Sequence, residues 1–317
     1  MRRGAAAIAY GLALSVGGLL AGRAFGADAR AAFNLRQVAP GVYVHIGREV
    51  LPDAPGHEDI ANIGFIVGTR CIAVIDTGGS VGTGRALRAA IRRRSRLPIC
   101  YVINTHVHYD HVLGNAAFAS DRAVFVGHAA LAGAIVRSRA FFLQHFAADL
   151  DAPATSGEII GPSRLVQIGH PLYIDLGGRR LRLRAWPTAH TDCDLTVLDE
   201  RTQTLWTGDL LFRGRVPALD GSVLGWLAAI EHLAQMQNVE LAVPGHGPVA
   251  RDMAAALVPE RRYLKALVDG VRRDLGQGRS MQQAMQEVGA AERSRWVLFG
   301  DVNPRNVERA YAELEWQ

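Results

Sequence analysis

Cysteine is scarce in this chain. Cys71, Cys100 and Cys193 are the only three in 317 residues, an odd number that excludes a fully paired disulfide framework. Cys71 and Cys100 each begin an apolar run and read as buried thiols, with a bridge between them open only if their strands are neighbours. Lysine is scarcer still. Lys265 stands alone among the arginines, and the formal net charge is +5. No basic patch interleaved with aromatics accompanies that charge, so no nucleic-acid partner is expected. Beyond the first 26 residues, no apolar run approaches the roughly 20 residues that span a bilayer.

What is present describes an ordinary globular protein, 49% hydrophobic and 21% charged, long enough for a sizeable core. The first 26 residues have the layout of an export signal: Arg2 and Arg3, an apolar stretch from Ala5 to Leu20, and a small-x-small site at Ala24-Phe25-Gly26. A periplasmic mature protein starting near Ala27 is therefore expected, with no stable membrane anchor after processing. A retained anchor is the alternative. Cleavage would remove Arg2, Arg3 and Arg23 and take the net charge from +5 to +2.

The chemistry concentrates in Thr105-His106-Val107-His108-Tyr109-Asp110-His111, preceded by the strand-like run Ile99 to Ile103. In extended backbone, side chains two apart share a side, so His106 and His108 are expected to converge on one point. Asp110 and His111 then turn toward a second point where the strand gives way. Imidazole and carboxylate are the donors that zinc and similar cations prefer. Such a run does not close a site alone, and three isolated residues offer to complete it. His190 follows the run Leu181 to Ala185, Asp209 follows Leu205 to Gly208, and His246 follows Leu241 to Gly245. Each is expected in a loop just past an apolar run, with glycines beside Asp209 and His246 to permit close backbone approach.

Along the chain, strands are expected at Gly41–Ile46, Asn62–Val67, Cys71–Ile75 and Ala123–Val126, with His45 on the solvent side. The helical pattern of Thr83–Arg94, between the strands ending at Asp76 and Asn104, predicts a crossover joining parallel strands. Ligands gather beyond the carboxyl ends of such strands, where Asp76 and His106 fall. The loop Leu51–Glu58 is expected to be solvated, with His57, Glu58 and Asp59 alternatively reaching a site entrance. His128 is assigned to capping or packing at a helix start, ahead of a helical stretch from Ala129 to Asp149. Pro153 to Pro162 reads as a polar break. Recurrent short strands between Leu165 and Thr207 predict a second, largely antiparallel sheet, and helices follow at Met253–Leu275, Ser280–Val288 and Asn306–Glu315, with Ser280 as an N-cap.

Taken together, His106-x-His108-x-Asp110-His111, His190, Asp209 and His246, with Asp76 ending an early strand, resemble the metallo-β-lactamase superfamily over roughly Val42 to Val249. The resemblance implies an α/β fold, a four-layer αββα sandwich with a dinuclear metal centre at one edge of its sheets. It divides the chain into a signal (1–26), a catalytic domain (27–250) and a C-terminal helical extension packed on it (251–317). It also implies that His106, His108 and His190 hold one divalent ion, that Asp110, His111 and His246 hold the other, and that Asp209 bridges them. Zn2+ is the first choice for both. An aspartate in the bridging place resembles glyoxalase-II-type hydrolases more than β-lactamases. A narrower similarity, in Gly56 to Phe65, Ala189 to Asp192, Leu219 to Ser222 and Ala312 to Trp316, is to the SoxH-like "quinoprotein relay system" zinc metallohydrolases. These are exported proteins associated with quinoprotein dehydrogenases.

The implied activity is hydrolysis of an ester, thioester, lactone or amide-like bond in a small-molecule substrate. A metal pair about 3.5–4 Å apart activates the attacking water, which Asp110 orients as the catalytic residue. Arg213 and Arg215 are either carboxylate-recognising residues or plain surface arginines. Cys193, three residues after His190, is either close to the metals and open to oxidation or a small buried residue. Two rivals stand beside the hydrolase. One is a persulfide dioxygenase-like enzyme with a single iron on two histidines and an aspartate. The other is a non-catalytic maturation partner of an exported dehydrogenase.

Overall fold

The computed structural model describes residues 33–150 and 159–316. The expected export signal and most of the Pro153–Pro162 break lie outside the described residues. From Phe33 onward the chain forms one compact unit.

The first sheet contains β1 (Leu35–Ala39), β2 (Val42–His45), β3 (Ile63–Val67), β4 (Ile72–Ile75), β5 (Ile99–Ile103), β6 (Val124–His128) and β7 (Arg164–Val166), in that order. The pairs from β1 to β4 are antiparallel and those from β4 to β7 are parallel. The expected crossover is α1 (Val81–Arg94), whose N-cap Ser80 accepts from the Thr83 amide at 2.9 Å. Its Leu87, Ala90 and Ile91, spaced to form one stripe, are buried against the outer face of this sheet beside Ile72, Val74 and Val102.

After β5 the chain makes α2 (Tyr109–Val112), and after β6 it makes α3 (Leu131–His145). The second sheet contains β8 (Leu172–Asp175), β9 (Arg180–Ala185), β10 (Leu195–Asp199), β11 (Thr204–Phe212) and β12 (Leu241–His246). It is antiparallel except for the β11–β12 pair. Ile66, Ile75, Ile103 and Val126 of the first sheet interdigitate with Leu183, Leu195, Val197 and Trp206 of the second. The outer face of the second sheet is covered by α4 (Val223–Ala234) and α5 (Met253–Gly276), then α6 (Met281–Glu287) and α7 (Phe299–Leu314). This is the αββα order expected. Ser280 caps α6 through a reciprocal pair with Gln283.

Local details differ from the sequence reading at several points outside the candidate site. His45 is only 7% exposed, stacked on Phe33 at 4.1 Å and bonded to Asp59 at 2.6 Å. The reason is that β2 lies between two strands and the loop before β3 folds over it. His128 ends a strand rather than starting a helix, although it packs as assigned: Nδ1 accepts from the Ala130 amide and Nε2 meets the Trp186 carbonyl. Helix α4 is an element the sequence reading does not anticipate, although Ser222 caps it by accepting from the Gly225 amide at 2.9 Å. Cys71, just before β4, is buried as expected, whereas Cys100 on the adjacent β5 is only half-buried, and both are free thiols. Among the described residues, no helix is long and apolar enough to cross a membrane.

Candidate metal centre

Strand β5 stops at Ile103, so His106 and His108 are placed by the bend of the following loop and not by a strand's alternation. His108 is then the N-cap residue of α2, whose single turn carries Asp110 and His111. On the opposite sheet His190 lies in the β9–β10 loop as expected. Asp209 and His246 are not in loops. Asp209 lies inside β11 and His246 ends β12, at irregular steps in the β11–β12 ladder. Such bulged pairing re-aims side chains. It also demands glycine: a Cβ on Gly245 would stand 1.8 Å from Asp209 Oδ1, and one on Gly208 would stand 2.6 Å from the Thr105 side chain.

All seven residues meet at one edge of the sandwich. His106, His108, His190 and Asp209 form one group, and Asp110, His111 and His246 another, with the donor atoms of each group within 4.8 Å of one another. Asp209 faces both. Its Oδ2 lies 3.7, 3.4 and 3.3 Å from Nε2 of His106, His190 and His246, while its Oδ1 lies 3.2 Å from His111 Nε2. Asp110 Oδ2 lies 3.5 Å from His111 Nε2 and 3.4 Å from His246 Nε2. His190 Nε2 faces His108 Nδ1 at 3.0 Å.

The outer ring nitrogen of each ligand histidine has a partner. His106 Nδ1 meets Thr105 Oγ1 at 3.0 Å and His111 Nδ1 meets Asp76 Oδ2 at 2.8 Å. The carbonyls of Ala218 and Ile60 accept from His190 Nδ1 at 2.6 Å and His246 Nδ1 at 2.9 Å. His108 Nε2 meets Asp220 Oδ2 at 3.2 Å. Each contact orients the ring so that its inward nitrogen, when it carries no proton, presents a lone pair. Several inward atoms are left over: His106 Nε2, His111 Nε2 and Asp209 Oδ1 are buried and make no hydrogen bond. A buried polar atom without a partner costs about 1–3 kcal/mol, and a divalent cation between these atoms would satisfy several at once. The residues therefore fit a metal.

Asp76 is thus a holder and not a ligand. It bonds the Thr105 amide and hydroxyl as well as His111, and its backbone occupies the left-handed region at φ 53°. Strain of that kind persists where surroundings enforce it. Asn62 does the same for His246, its amide donating to the carbonyls of Pro244 and Gly247. Asn62 and Asp220 lie in the Gly56–Phe65 and Leu219–Ser222 segments of the narrower similarity, but nothing local in the sequence marks them as partners of the histidines. His57 bonds Asp149 at 3.0 Å and Ala54, and with Glu58 and Asp59 stays outside both groups. Cys193 is fully buried among Ile60, Val107 and Leu131, and burial pushes its thiol far up, so it is not a thiolate ligand.

Electrostatics differ between the groups. Burial holds His106 well below its ordinary pKa and takes His190 down to about 3. Burial also lowers His111, but Asp209, Asp110 and Asp76 outweigh it and hold the imidazole protonated well above the usual range. His108 is raised more mildly: burial lowers it, and Asp220 more than compensates. A cation bound on these nitrogens would have to displace those protons, so its affinity should fall as pH falls. Dialysis between about pH 8 and about pH 5, followed by elemental analysis, should show metal content dropping toward the lower pH. A metal content unchanged over that range would contradict a role for His108 and His111 as ligands.

The αββα sandwich thus carries, at one edge, a histidine and carboxylate cluster with the donor set of a metal site. The family model of the metallo-beta-lactamase superfamily matches residues 57–246, and the chain belongs to that superfamily. A linear primary-alkylsulfatase from Pseudomonas sp. is 29% identical over 122 residues, 38% of this chain and 21% of that protein. A hydroxyacylglutathione hydrolase from Polaromonas sp. is 28% identical over 180 residues, 55% of this chain and 59% of that protein. The chain therefore spans less than two thirds of either relative. Among solved structures, the sec-alkylsulfatase Pisa1 from Pseudomonas sp. superposes with a TM-score of 0.68 at 16% identity, covering 89% of this chain and 50% of that one. A metallo-beta-lactamase from Pontibacter korlensis gives 0.59 at 18% identity, covering 73% and 98%. These structural likenesses show the fold.

Proposed function

We propose that this chain is a dinuclear-metal hydrolase that cleaves an ester-type bond, acyl or sulfate, in a small anionic substrate. The observation that carries this reading is the set of buried, partnerless inward atoms shared between two adjoining ligand groups. In it His106, His108 and His190 hold one cation, Asp110, His111 and His246 the other, and Asp209 both. When bound, two divalent ions, zinc being first choice for this donor set, supply an acidified water and a Lewis acid for the substrate oxygen. The chain's own part is to position and to hold protons. Burial pushes Asp110 up, but the charges of His111 and His246 win and keep it ionised, as an acceptor that orients the attacking water must be. The sulfate option rests on the alkylsulfatase relative and the acyl option on the hydroxyacylglutathione hydrolase.

The anionic character of the substrate rests on Arg215. The two arginines of the loop after β11 part company in the structure. Arg213 spends its Nη1 on the carbonyls of Pro248 and Val249, both at 2.6 Å. Arg215 is 5% exposed, and its buried Nε and Nη1 have no partner. Its charge acts on Glu49, which also feels His246, and on Tyr109, the neighbour of Asp110 in the chain. A buried guanidinium with free donors calls for an anion. Arg215→Ala should raise KM for carboxylate- or sulfate-bearing esters roughly 10- to 150-fold, the worth of a charged hydrogen bond, and leave neutral esters unchanged. Equal losses on both would remove Arg215 from substrate recognition.

The full ligand set argues against a single iron, since the Asp110–His111–His246 group is assembled with its own supports. Elemental analysis together with turnover of acyl, thioester, lactone and sulfate esters tests the reading; one iron per chain with oxygen uptake would replace it. Export to the periplasm and a link to a quinoprotein dehydrogenase belong to the same proposal, supported by residues 1–26 and by the Gly56–Phe65 and Leu219–Ser222 segments. Mass spectrometry of exported protein should find a start near Ala27, and an intact Met1 on a membrane-bound form would sink the cleavage.

A further inference from the structure

Helix α7 lies outside the segment matched by the family model, which ends at residue 246. It nevertheless reaches the metal centre in two steps. Asn306, Arg309 and Glu313 are spaced to share one face of α7, and each holds the strap that runs from Pro217 to Leu224. Asn306 is buried and donates Nδ2 to the Pro217 carbonyl at 2.6 Å while accepting the Leu219 amide at 2.8 Å. Arg309 Nη2 donates to the Asp220 carbonyl at 2.5 Å and to Asp220 Oδ1 at 3.0 Å. The carboxylate of Glu313 accepts from Ser222 Oγ and the Val223 amide, both at 2.6 Å.

The strap in turn grips the first ligand group. Ala218 O accepts from His190 Nδ1 at 2.6 Å, the Asp220 amide donates to the His190 carbonyl at 3.1 Å, and Asp220 Oδ2 meets His108 Nε2 at 3.2 Å. His106 is held from elsewhere, by Thr105, and the second group by Asp76 and Ile60. The geometry points to α7 as a brace for the first metal group, with Arg309, Asn306 and Glu313 as positioning residues that orient His108 and His190 through the Pro217–Leu224 strap. This rests on the ligand reading proposed above. Metal selectivity within the pair is its consequence: loosening α7 weakens one ion and spares the other.

Arg309 is the discriminating position because its pair with Asp220 is solvent-exposed, 52% and 56% for the two side chains. Exposed pairs contribute little to stability, so loss of the brace separates from loss of the fold. The test uses the full chain in a His246→Ala background, which disables the second group, titrated with Zn2+ against a chelator and with Co2+ followed by its visible spectrum. Arg309→Ala is expected to weaken the remaining ion about tenfold, the lower end for residues that orient metal ligands, and to change the Co2+ spectrum. Arg309→Lys should restore both in part, and Glu308→Ala, exposed on the same helix, should change neither. Metal affinity and spectrum unchanged in Arg309→Ala would overturn the brace. If the parent chain with all seven ligands binds no metal, the ligand reading itself has failed, and the brace with it.

Discussion

Replacing Asp110 by asparagine is expected to abolish most of the turnover while leaving the fold intact. The substitution keeps the side chain's shape and removes a charge that lies 3.5 and 3.4 Å from the inward nitrogens of His111 and His246. Two effects add. The second group loses an anionic ligand, so its metal weakens, and the attacking water loses the acceptor that orients it. The loss of a positioned proton acceptor alone is worth about 10²- to 10⁴-fold in rate. Turnover and metal content should fall together in Asp110→Asn, with a circular dichroism spectrum like that of the parent. His128→Ala is the matched control: its ring bonds the Trp186 carbonyl and the Ala130 amide, away from both groups, so metal content should not change. Undiminished hydrolysis in Asp110→Asn would refute its role, and normal dehydrogenase maturation without any turnover would favour a non-catalytic partner.

The largest effect on stability is expected at Trp226. This residue of α4 is fully buried in the cluster between the second sheet and the C-terminal helices. Its ring stands edge-on to His190 at 5.1 Å and lies 5.9 Å from Phe212, which is itself stacked on His246 at 4.9 Å. Trp226→Ala removes more buried side-chain volume than the close-packed surroundings can refill, a loss of about 3–5 kcal/mol. It also leaves one flank of the His190 ring without support. Chemical denaturation should therefore show a large fall in unfolding free energy, and zinc titration a weaker first site. A loss under about 1 kcal/mol would mean that the cavity collapses freely and that the packing described is not what holds α4.

The candidate donor residues that converge at the sheet edge are legible in the sequence because metal chemistry restricts donors to few residue types and the turn residues around them are local signals. His106 to His111 lie within one short segment, and His190, Asp209 and His246 each border an apolar run, so composition and spacing are enough to name all seven. The crossover α1, the second antiparallel sheet and the Ser280 cap are legible for the same reason, since each depends on neighbours a few positions away. The backbone carrying the ligands is less so. Asp209 and His246 read as loop residues and lie within paired strands, because the irregular ladder that aims them depends on how β11 meets β12.

The sequence by itself determined the candidate donor residues, the crossover α1 and the largely antiparallel character of the second sheet, because these follow from residue type and short-range pattern. Only the tertiary structure decided which polar residues serve the ligands. Arg213 and Arg215 share a local context, yet Gly214 between them turns the chain at φ 83°. One guanidinium is spent on carbonyls while the other is buried with two donor nitrogens unpartnered. Asp76, Asn62 and Asp220 became holders of histidines, and Asn306, Arg309 and Glu313 became holders of a strap, through contacts with residues 29 to 185 positions away. No local pattern encodes such contacts, because the free energy that selects them is the burial and pairing of polar groups that meet only when the two sheets and the last helix close on one another.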